Sequence, residues 1–144
     1  MSGDPEPRTQ PQRVEKPWGY ELWWAETPHY AGKILHVDAG QSLSLQVHRE
    51  KDESSYVLSG RLVLTRGPSA DELTTEEIGP GFTWRVESGT VHSIEALEDA
   101  DVIEVSTPHL DDVVRLRDRY GREGWWFARP ARPLRNLCVE FGLL

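Results

Sequence analysis

Between Val14 and Pro108 the chain consists of short runs in which apolar and polar residues alternate, and these runs are separated by Gly, Pro and Asp. Alternation with a period of two is typical of β-strands with one buried face. No helical periodicity lies between the runs, which argues against a parallel α/β sheet. Their spacing of about 8–12 residues predicts an all-β sandwich or barrel. The predicted strands cover 20–24, 33–37, 42–48, 54–58, 61–66, 72–78, 82–86, 91–96 and 102–106.

After the last of these strands the pattern changes to one that predicts a single C-terminal helix over 107–121. Thr107 can act as its N-cap, Pro108 suits the first helical position, and Gly121 can end it. Acidic residues fall in the first turn and arginines follow toward the C-terminal end, which is the favourable order for the helix dipole. The apolar side of this helix would consist of Leu110, Val113, Val114 and Tyr120.

The two ends of the chain differ from this central region. Residues 1–13 have no periodic apolar face and predict a flexible N-terminal arm, so the barrel domain is expected to cover 14–122. Residues 123–144 form a tail in which Pro130 and Pro133 exclude a regular helix. The tail is apolar enough to need cover, and packing on its own barrel or on another subunit are both open.

The amino-acid composition argues against some classes of binding partner. The 144 residues suit one domain, and 16 Lys+Arg against 24 Asp+Glu give a net charge of -8. An acidic surface repels phosphate backbones, which argues against nucleic acid, and no apolar run approaches the ~20 residues that span a bilayer. The lone Cys138 cannot form an internal disulfide, which predicts a reducing, cytoplasmic location. The expected partner is a small molecule, and an anionic one would need a locally basic pocket.

Metal-binding chemistry is indicated by two segments. On a strand, Ser44, Gln46 and His48 share one face because side chains two apart point the same way. Glu53 follows five residues after His48, and His92 comes just after a glycine-containing turn. Taken singly, each of these residues is more often a solvent-facing or structural group. Together, an amide oxygen, two imidazoles and a carboxylate suit one divalent ion, with Zn first and Mn, Fe, Co or Ni as alternatives.

These two segments resemble the two motifs of the cupin superfamily. Gly40, His48, Glu53 and Gly60 fill the first motif, and Gly81, Gly89 and His92 fill the second. The first motif histidine is Gln46 here, and Glu87 and Ala96 stand where the second motif usually has proline and asparagine. The resemblance implies a double-stranded β-helix, which is a jelly-roll barrel with the metal inside.

A closer resemblance is to the cupin domain of the type II mannose-6-phosphate isomerases, which are often bifunctional with a guanylyltransferase. It extends from about Lys16 to Arg122 and rests on KPWGYE (16–21), GKILHV (32–37), LSLQVHREKDE (43–53) and EVSTPHLDDVVRLRDRYGR (104–122). The guanylyltransferase half is absent. Two departures are the replacement of a histidine-rich basic stretch by REKD (49–52) and of an arginine by Ser93. The resemblance implies aldose–ketose isomerisation of a sugar phosphate.

Three residues are candidates for catalysis in such a reaction. Glu104 lies at the centre of the last predicted strand, where burial would raise its pKa toward that of a general base. The alternative is a structural carboxylate paired with a lysine or arginine. Lys33 matches a family lysine and could hold an anionic group or pair with Glu104. Arg122 could close over a phosphate or be a surface arginine at a helix end.

Three further residues are candidates for substrate binding. Lys16 matches the position of a family arginine, Ser44 shares a strand face with Gln46, and Trp84 lies near the second motif at the expected cavity mouth. The adjacent tryptophan pairs elsewhere in the chain are expected to pack in the core or at an interface.

Three functions fit these observations. The favoured function is a metal-dependent isomerase acting on an anionic sugar, because candidate metal ligands, a candidate general base and basic side chains occur together in the sequence. A non-catalytic cupin that binds a sugar-like ligand is suggested by the departures from the family pattern. An Fe- or Mn-dependent oxygenase is disfavoured by the glutamine in place of a histidine. A homodimer is expected, since cupins of this kind are commonly dimers.

Overall fold

The computed structural model describes residues 10–126. Most of the predicted arm and of the predicted tail, including Cys138, lies outside the described residues. Within the described range the protein is all β, as the alternation predicts, and no helix long and apolar enough to cross a membrane occurs in it.

In residues 10–126, twelve strands form two six-stranded antiparallel sheets that pack as a jelly-roll sandwich. The first sheet has the order β1-β2-β3-β10-β5-β8 and the second β12-β11-β4-β9-β6-β7. The nine predicted strands correspond to β2 through β10. The strand bounds are β1 Gln12–Lys16, β2 Gly19–Glu26, β3 Ala31–Val37, β4 Leu45–Val47, β5 Glu53–Ser59, β6 Leu62–Ser69, β7 Glu72–Ile78, β8 Thr83–Val86, β9 Val91–Ala96, β10 Ala100–Ser106, β11 Val113–Arg117 and β12 Gly124–Trp126.

The predicted C-terminal helix is wrong. Its centre is β11, which pairs with β4 on one side and with β12 on the other. Val113 and Val114 are β-branched and buried, and the apolar spacing that predicted a helix fits a strand preceded by a turn equally well. Without β11, the outer edge of β4 would have unpaired backbone groups, so tertiary pairing decides the conformation.

Strand β1 begins at Gln12 and pairs with β2 through the register Gln12↔Trp23 to Lys16↔Gly19. The last two positions of the predicted arm are therefore part of the first sheet. This pairing places Lys16 at the end of β1, next to the mouth of the barrel.

One half of the interior is an apolar core. Leu35 and Val57 flank Val102 across β3, β10 and β5, and Val37 pairs with Ala100 further along. Val37 and Val57 are completely buried, and each such side chain contributes roughly 1.5–3 kcal/mol to stability.

The same strands carry polar residues into the other half of the interior. In the register that places Val102 in the core, Glu104 pairs with Lys33 on one side and with Ser55 on the other. All three side chains are buried. The inward faces of these strands thus change from apolar to charged along their length, and a polar site forms at one end between the two sheets.

Gly60, which ends the first motif, closes the turn between β5 and β6. Its φ of 84° is in the left-handed region, and a Cβ there would lie 2.3 Å from the carbonyl oxygen of Asp99. Only glycine fits this position, which explains its place in the motif.

Candidate metal centre and adjoining basic pocket

Three buried side chains converge at the charged end of the barrel. His48 follows β4, His92 lies on β9, and Glu53 begins β5 on the opposite sheet. Glu53 Oε1 lies 3.6 Å from His48 Nε2 and 3.2 Å from His92 Nε2. Two ligands on one tetrahedral zinc ion are about 3.3 Å apart, because Zn–N bonds are about 2.0–2.1 Å long. The separations therefore match those of ligands that share one ion.

The hydrogen bonds of the two histidines leave the correct nitrogens for a metal. His48 Nδ1 lies 2.5 Å from the carbonyl oxygen of Asp112, and His92 Nδ1 lies 3.0 Å from that of Thr90. A carbonyl oxygen only accepts, so each Nδ1 donates its proton and each Nε2 presents a lone pair. Both Nε2 atoms are buried and have no hydrogen-bond partner. Lone pairs on two nitrogens that face a carboxylate oxygen need a cation between them, so the residues fit a divalent metal.

The pKa shifts of His48 and Glu53 agree with a neutral histidine and an ionised glutamate. Burial lowers the pKa of His48, which favours the neutral, metal-binding form. Burial alone would raise the pKa of Glu53, but the attraction of Lys51 holds that pKa well below its usual value, so the carboxylate is ionised.

Gln46, the fourth predicted ligand, lies directly opposite His92 in the pairing of β4 with β9, and its side chain lines the same cavity as His48. Ser44 Oγ donates a hydrogen bond of 2.7 Å to Gln46 Oε1. The structure thus brings the four predicted residues together, and it places the predicted substrate-binding residue Ser44 against a ligand candidate.

Lys51 is a site residue that the sequence reasoning missed. Its Nζ lies 3.0 Å from Glu53 Oε2 and 3.1 Å from Glu104 Oε2, and the residue is only 6% exposed. Burial alone would lower the pKa of Lys51, but the attraction of Glu104 and Glu53 raises it above the usual value, so the ammonium is charged. A signal was present: Lys51 is two residues before Glu53, which puts both side chains on one face of an extended segment.

Glu104 faces this cavity from β10. Burial and the repulsion from Glu53 raise the pKa of Glu104 to about 7, although Lys51 and Lys33 act in the opposite direction. A carboxyl group with this pKa can both accept and release a proton near neutral pH.

Lys33 lines the same cavity, but its ion pair is with a residue that was not predicted. Its Nζ lies 3.3 Å from Glu21 Oε1, and Trp23 Nε1 donates to the same oxygen over 2.7 Å. Burial would raise the pKa of Glu21, but the attraction of Lys33 and Lys16 holds it at about 2. Glu104 is opposite Lys33 in the sheet register, so the lysine lies between two carboxylates.

Cations surround the rest of this pocket. Arg115 is buried on β11 directly opposite Gln46, and the sequence reasoning missed it because a helix was predicted there. Arg122 Nε lies 2.8 Å from Asp118 Oδ2, and a second guanidinium nitrogen lies 3.1 Å from Asp118 Oδ1, which fixes the guanidinium at the pocket wall. The five cationic residues that line the pocket are Lys16, Lys33, Lys51, Arg115 and Arg122.

Trp84 lies on the apolar side of the centre. It is 8% exposed and lines a second cavity together with Glu53, Ser55 and His92. The predicted substrate-binding residues are thus on different walls, with Lys16 on the basic side and Trp84 on the apolar side.

A jelly-roll sandwich with a buried histidine–glutamate–histidine centre defines a cupin, and the sequence agrees. Residues 33–107 match the Cupin domain family, which covers more than half of the chain, so the protein belongs to this family. The resemblance stated from the motifs is thereby confirmed.

Curated relatives match more than three quarters of the chain. Over 114 residues the chain is 32% identical to "Xanthan biosynthesis protein XanB" of Xanthomonas campestris pv. campestris (strain B100), covering 77% of this chain and 24% of the relative. Over 117 residues it is 29% identical to "Mannose-1-phosphate guanylyltransferase 2" of Escherichia coli O157:H7, covering 78% and 23%. The chain therefore spans about a quarter of the length of these curated relatives.

Solved structures share the fold. KdgF from Halomonas sp. superposes with a TM-score of 0.59 at 22% identity, covering 69% of this chain and 88% of that chain. Bacillus subtilis oxalate decarboxylase, described with Mn(II) centres, gives a TM-score of 0.63 at 21% identity, covering 75% and 30%. At this level of identity the likeness supports the fold alone.

Proposed function

We propose that the protein is a metal-dependent isomerase that interconverts an aldose phosphate and a ketose phosphate. The observation that carries the proposal is that two adjoining cavities, which share Gln46 and Glu104, combine three groups: the His48–Glu53–His92 centre, a carboxyl group with a pKa of about 7, and five cations. Each part has a separate task in such a reaction. The names of the relatives, which concern mannose 1-phosphate, support a phosphorylated sugar.

The proton transfer is assigned to Glu104. Isomerisation moves one proton between C2 and C1 through an enediol, while the hydroxyl proton passes between the adjacent oxygens O2 and O1. A single group can take the carbon-bound proton from one carbon and return it to the other. Lys51 contacts Glu104 Oε2 over 3.1 Å and so holds this carboxyl group at the cavity. A divalent ion held by His48, Glu53, His92 and Gln46 would polarise the substrate oxygens at these two carbons. Zinc remains the first choice, and manganese, iron, cobalt and nickel are the alternatives that suit the same nitrogen and oxygen ligands.

The phosphate is assigned to the basic wall of the pocket. A protein with a net charge of -8 repels an anion, and only a local cluster of cations can reverse the potential. Arginine binds phosphate with two parallel hydrogen bonds, so Arg115 and Arg122 are the expected direct contacts, with Lys16 as a further charge.

Proton exchange tests this function directly. Protein loaded with zinc or manganese is incubated with mannose 6-phosphate in deuterated water and followed by NMR. We expect loss of the C2 proton signal and formation of the ketose phosphate. Glu104→Gln should reduce the rate by roughly 10²–10⁴-fold, the usual contribution of a positioned acid–base group. Glu77→Gln, an exposed carboxylate paired with Arg61, is the matched control. Absence of exchange with several sugar phosphates would contradict the proposal.

A non-catalytic cupin that binds a sugar-like anion is the second candidate. Ser93, which replaces a family arginine, donates its hydroxyl to the carbonyl of Leu43 over 2.8 Å and so has a structural task. Thermal stabilisation by a sugar phosphate without any proton exchange would favour this function. Oxygen uptake with Fe(II) would instead favour the oxygenase.

The homodimer, the cytoplasmic location and the packing of the tail stay predictions. Light scattering on the full chain and on a chain that ends after residue 126 tests both the homodimer and the role of the tail in forming it.

A further inference from the structure

The two carboxylate oxygens of Glu53 have different surroundings. Oε1 faces the Nε2 atoms of both histidines, at 3.6 and 3.2 Å, whereas Oε2 lies 3.0 Å from Lys51 Nζ. We propose that Lys51 is a positioning residue that holds Glu53 as a one-oxygen metal ligand, with Oε1 directed at the metal and Oε2 retained by the lysine. The inference rests on the metal site of the proposed function and not on the isomerase reaction.

Lys51 is itself held firmly, which a positioning residue must be. Its backbone N–H donates to Asp112 Oδ2 over 2.9 Å, and the neighbouring N–H of Glu50 donates to the same oxygen over 2.6 Å. The carbonyl oxygen of Asp112 accepts the proton of His48 Nδ1. One residue therefore fixes both the backbone that carries the lysine and the ring of a metal ligand.

The second contact of Lys51, to Glu104, restricts the ammonium further. With one partner the flexible lysine could follow the carboxylate through several rotamers, but two partners on different strands define one position. When the lysine is made neutral, Oε2 of Glu53 loses its counter-ion and the metal becomes its nearest positive charge. We then expect Glu53 to bind the metal through both carboxylate oxygens, which adds one ligand atom.

The absorption spectrum of bound cobalt(II) measures this change in coordination number, and no substrate is needed. The full chain is loaded with Co²⁺, whose visible absorption weakens markedly as the coordination number rises. We expect Lys51→Met to lose much of the wild-type band intensity and Lys51→Arg, which retains the charge, to preserve it. Arg61→Met is the control, because it removes a cation that pairs with the exposed Glu77 outside the pocket. Its spectrum should be that of the wild type.

Circular dichroism establishes that each variant is folded. If Lys51→Met does not fold, Lys51→Gln, which keeps a hydrogen-bond donor but no charge, takes its place and should lose intensity as well. A folded neutral variant with the wild-type spectrum would overturn the proposal. So would an equal change in Arg61→Met. The Co²⁺ spectrum does not depend on whether the protein exchanges protons with a sugar. A failure of the isomerase function can therefore be distinguished from a failure of this inference.

Discussion

At the scale of single residues, the site is a set of buried charges that neutralise one another. An isolated buried ion costs several kcal/mol, and an ion that loses its partner is strongly destabilising. Glu21 pairs with Lys33, and Lys51 is shared by Glu53 and Glu104. The lone pairs of His48 and His92 are the part of this arrangement that only a cation can satisfy.

Metal content is the direct test of this centre. Glu53→Gln keeps the size of the side chain but removes the charged ligand oxygen. We expect metal affinity to fall by more than the roughly 10–100-fold that loss of an outer partner costs. Elemental analysis after dialysis against a metal buffer measures this change, with Glu77→Gln as control. Equal metal content in both variants would contradict the assignment.

At the scale of elements, the alternation of apolar and polar residues was sufficient to predict β2 through β10. The segment after Ser106 was predicted wrongly, because Leu110, Val113 and Val114 have a spacing that fits a helix face as well as a turn followed by a strand. Pairing with β4 decided in favour of β11. This change moved Arg115 from a solvated helix end into the pocket.

Val114 tests the packing of β11. It is completely buried in this strand, so Val114→Ala removes two methyl groups and leaves a small cavity. We expect the free energy of unfolding to fall by about 2 kcal/mol, as measured by urea denaturation. An unchanged free energy of unfolding would contradict the burial of this strand. Arg117→Ala, at an exposed position of the same strand, should change stability by less than about 0.5 kcal/mol.

Asp112 links the loop between β4 and β5 to the start of β11. Burial would raise the pKa of Asp112, but hydrogen bonds from the backbone N–H groups of Glu50, Lys51 and Arg49 hold it below the usual value. The folded pKa is thus below the unfolded pKa of about 3.9. The resulting stabilisation is present above about pH 4 and is lost as the pH falls through the folded pKa.

We therefore expect Asp112→Asn to lose about 1–2 kcal/mol of stability at pH 7 and to differ progressively less from the wild type below pH 4. Urea denaturation across this pH range measures the difference. A difference that is constant from pH 7 to pH 2 would show that the carboxylate charge is not responsible.

At the scale of the whole molecule, an acidic protein surrounds a cavity with many cations. The net charge of -8 includes five cations that line this cavity together with the carboxylates of Glu21, Glu104 and Asp112. The proposed function requires that a small anion binds inside the barrel and not on the acidic surface.

Inorganic phosphate tests this requirement. At 100 times its dissociation constant, a ligand that binds only the folded state adds about 2.7 kcal/mol of stability. We expect phosphate to raise the melting temperature of the wild type at constant ionic strength, and Arg115→Met to abolish most of that rise. Arg85→Met, at an exposed arginine paired with Asp52, is the matched control and should respond like the wild type. An undiminished rise in Arg115→Met would place phosphate elsewhere.

The sequence by itself determined the β class and indicated a candidate metal centre, because period-two alternation and the spacing of Gln46, His48, Glu53 and His92 are local properties of the chain. Only the tertiary structure decided that Lys51, Glu21 and Arg115 belong to the site. Their positions depend on which strands lie side by side and on which charges burial forces into pairs, and neither can be read from a local pattern. For the same reason, the strand conformation of β11 depends on its pairing with the edge of β4, which a local pattern does not show.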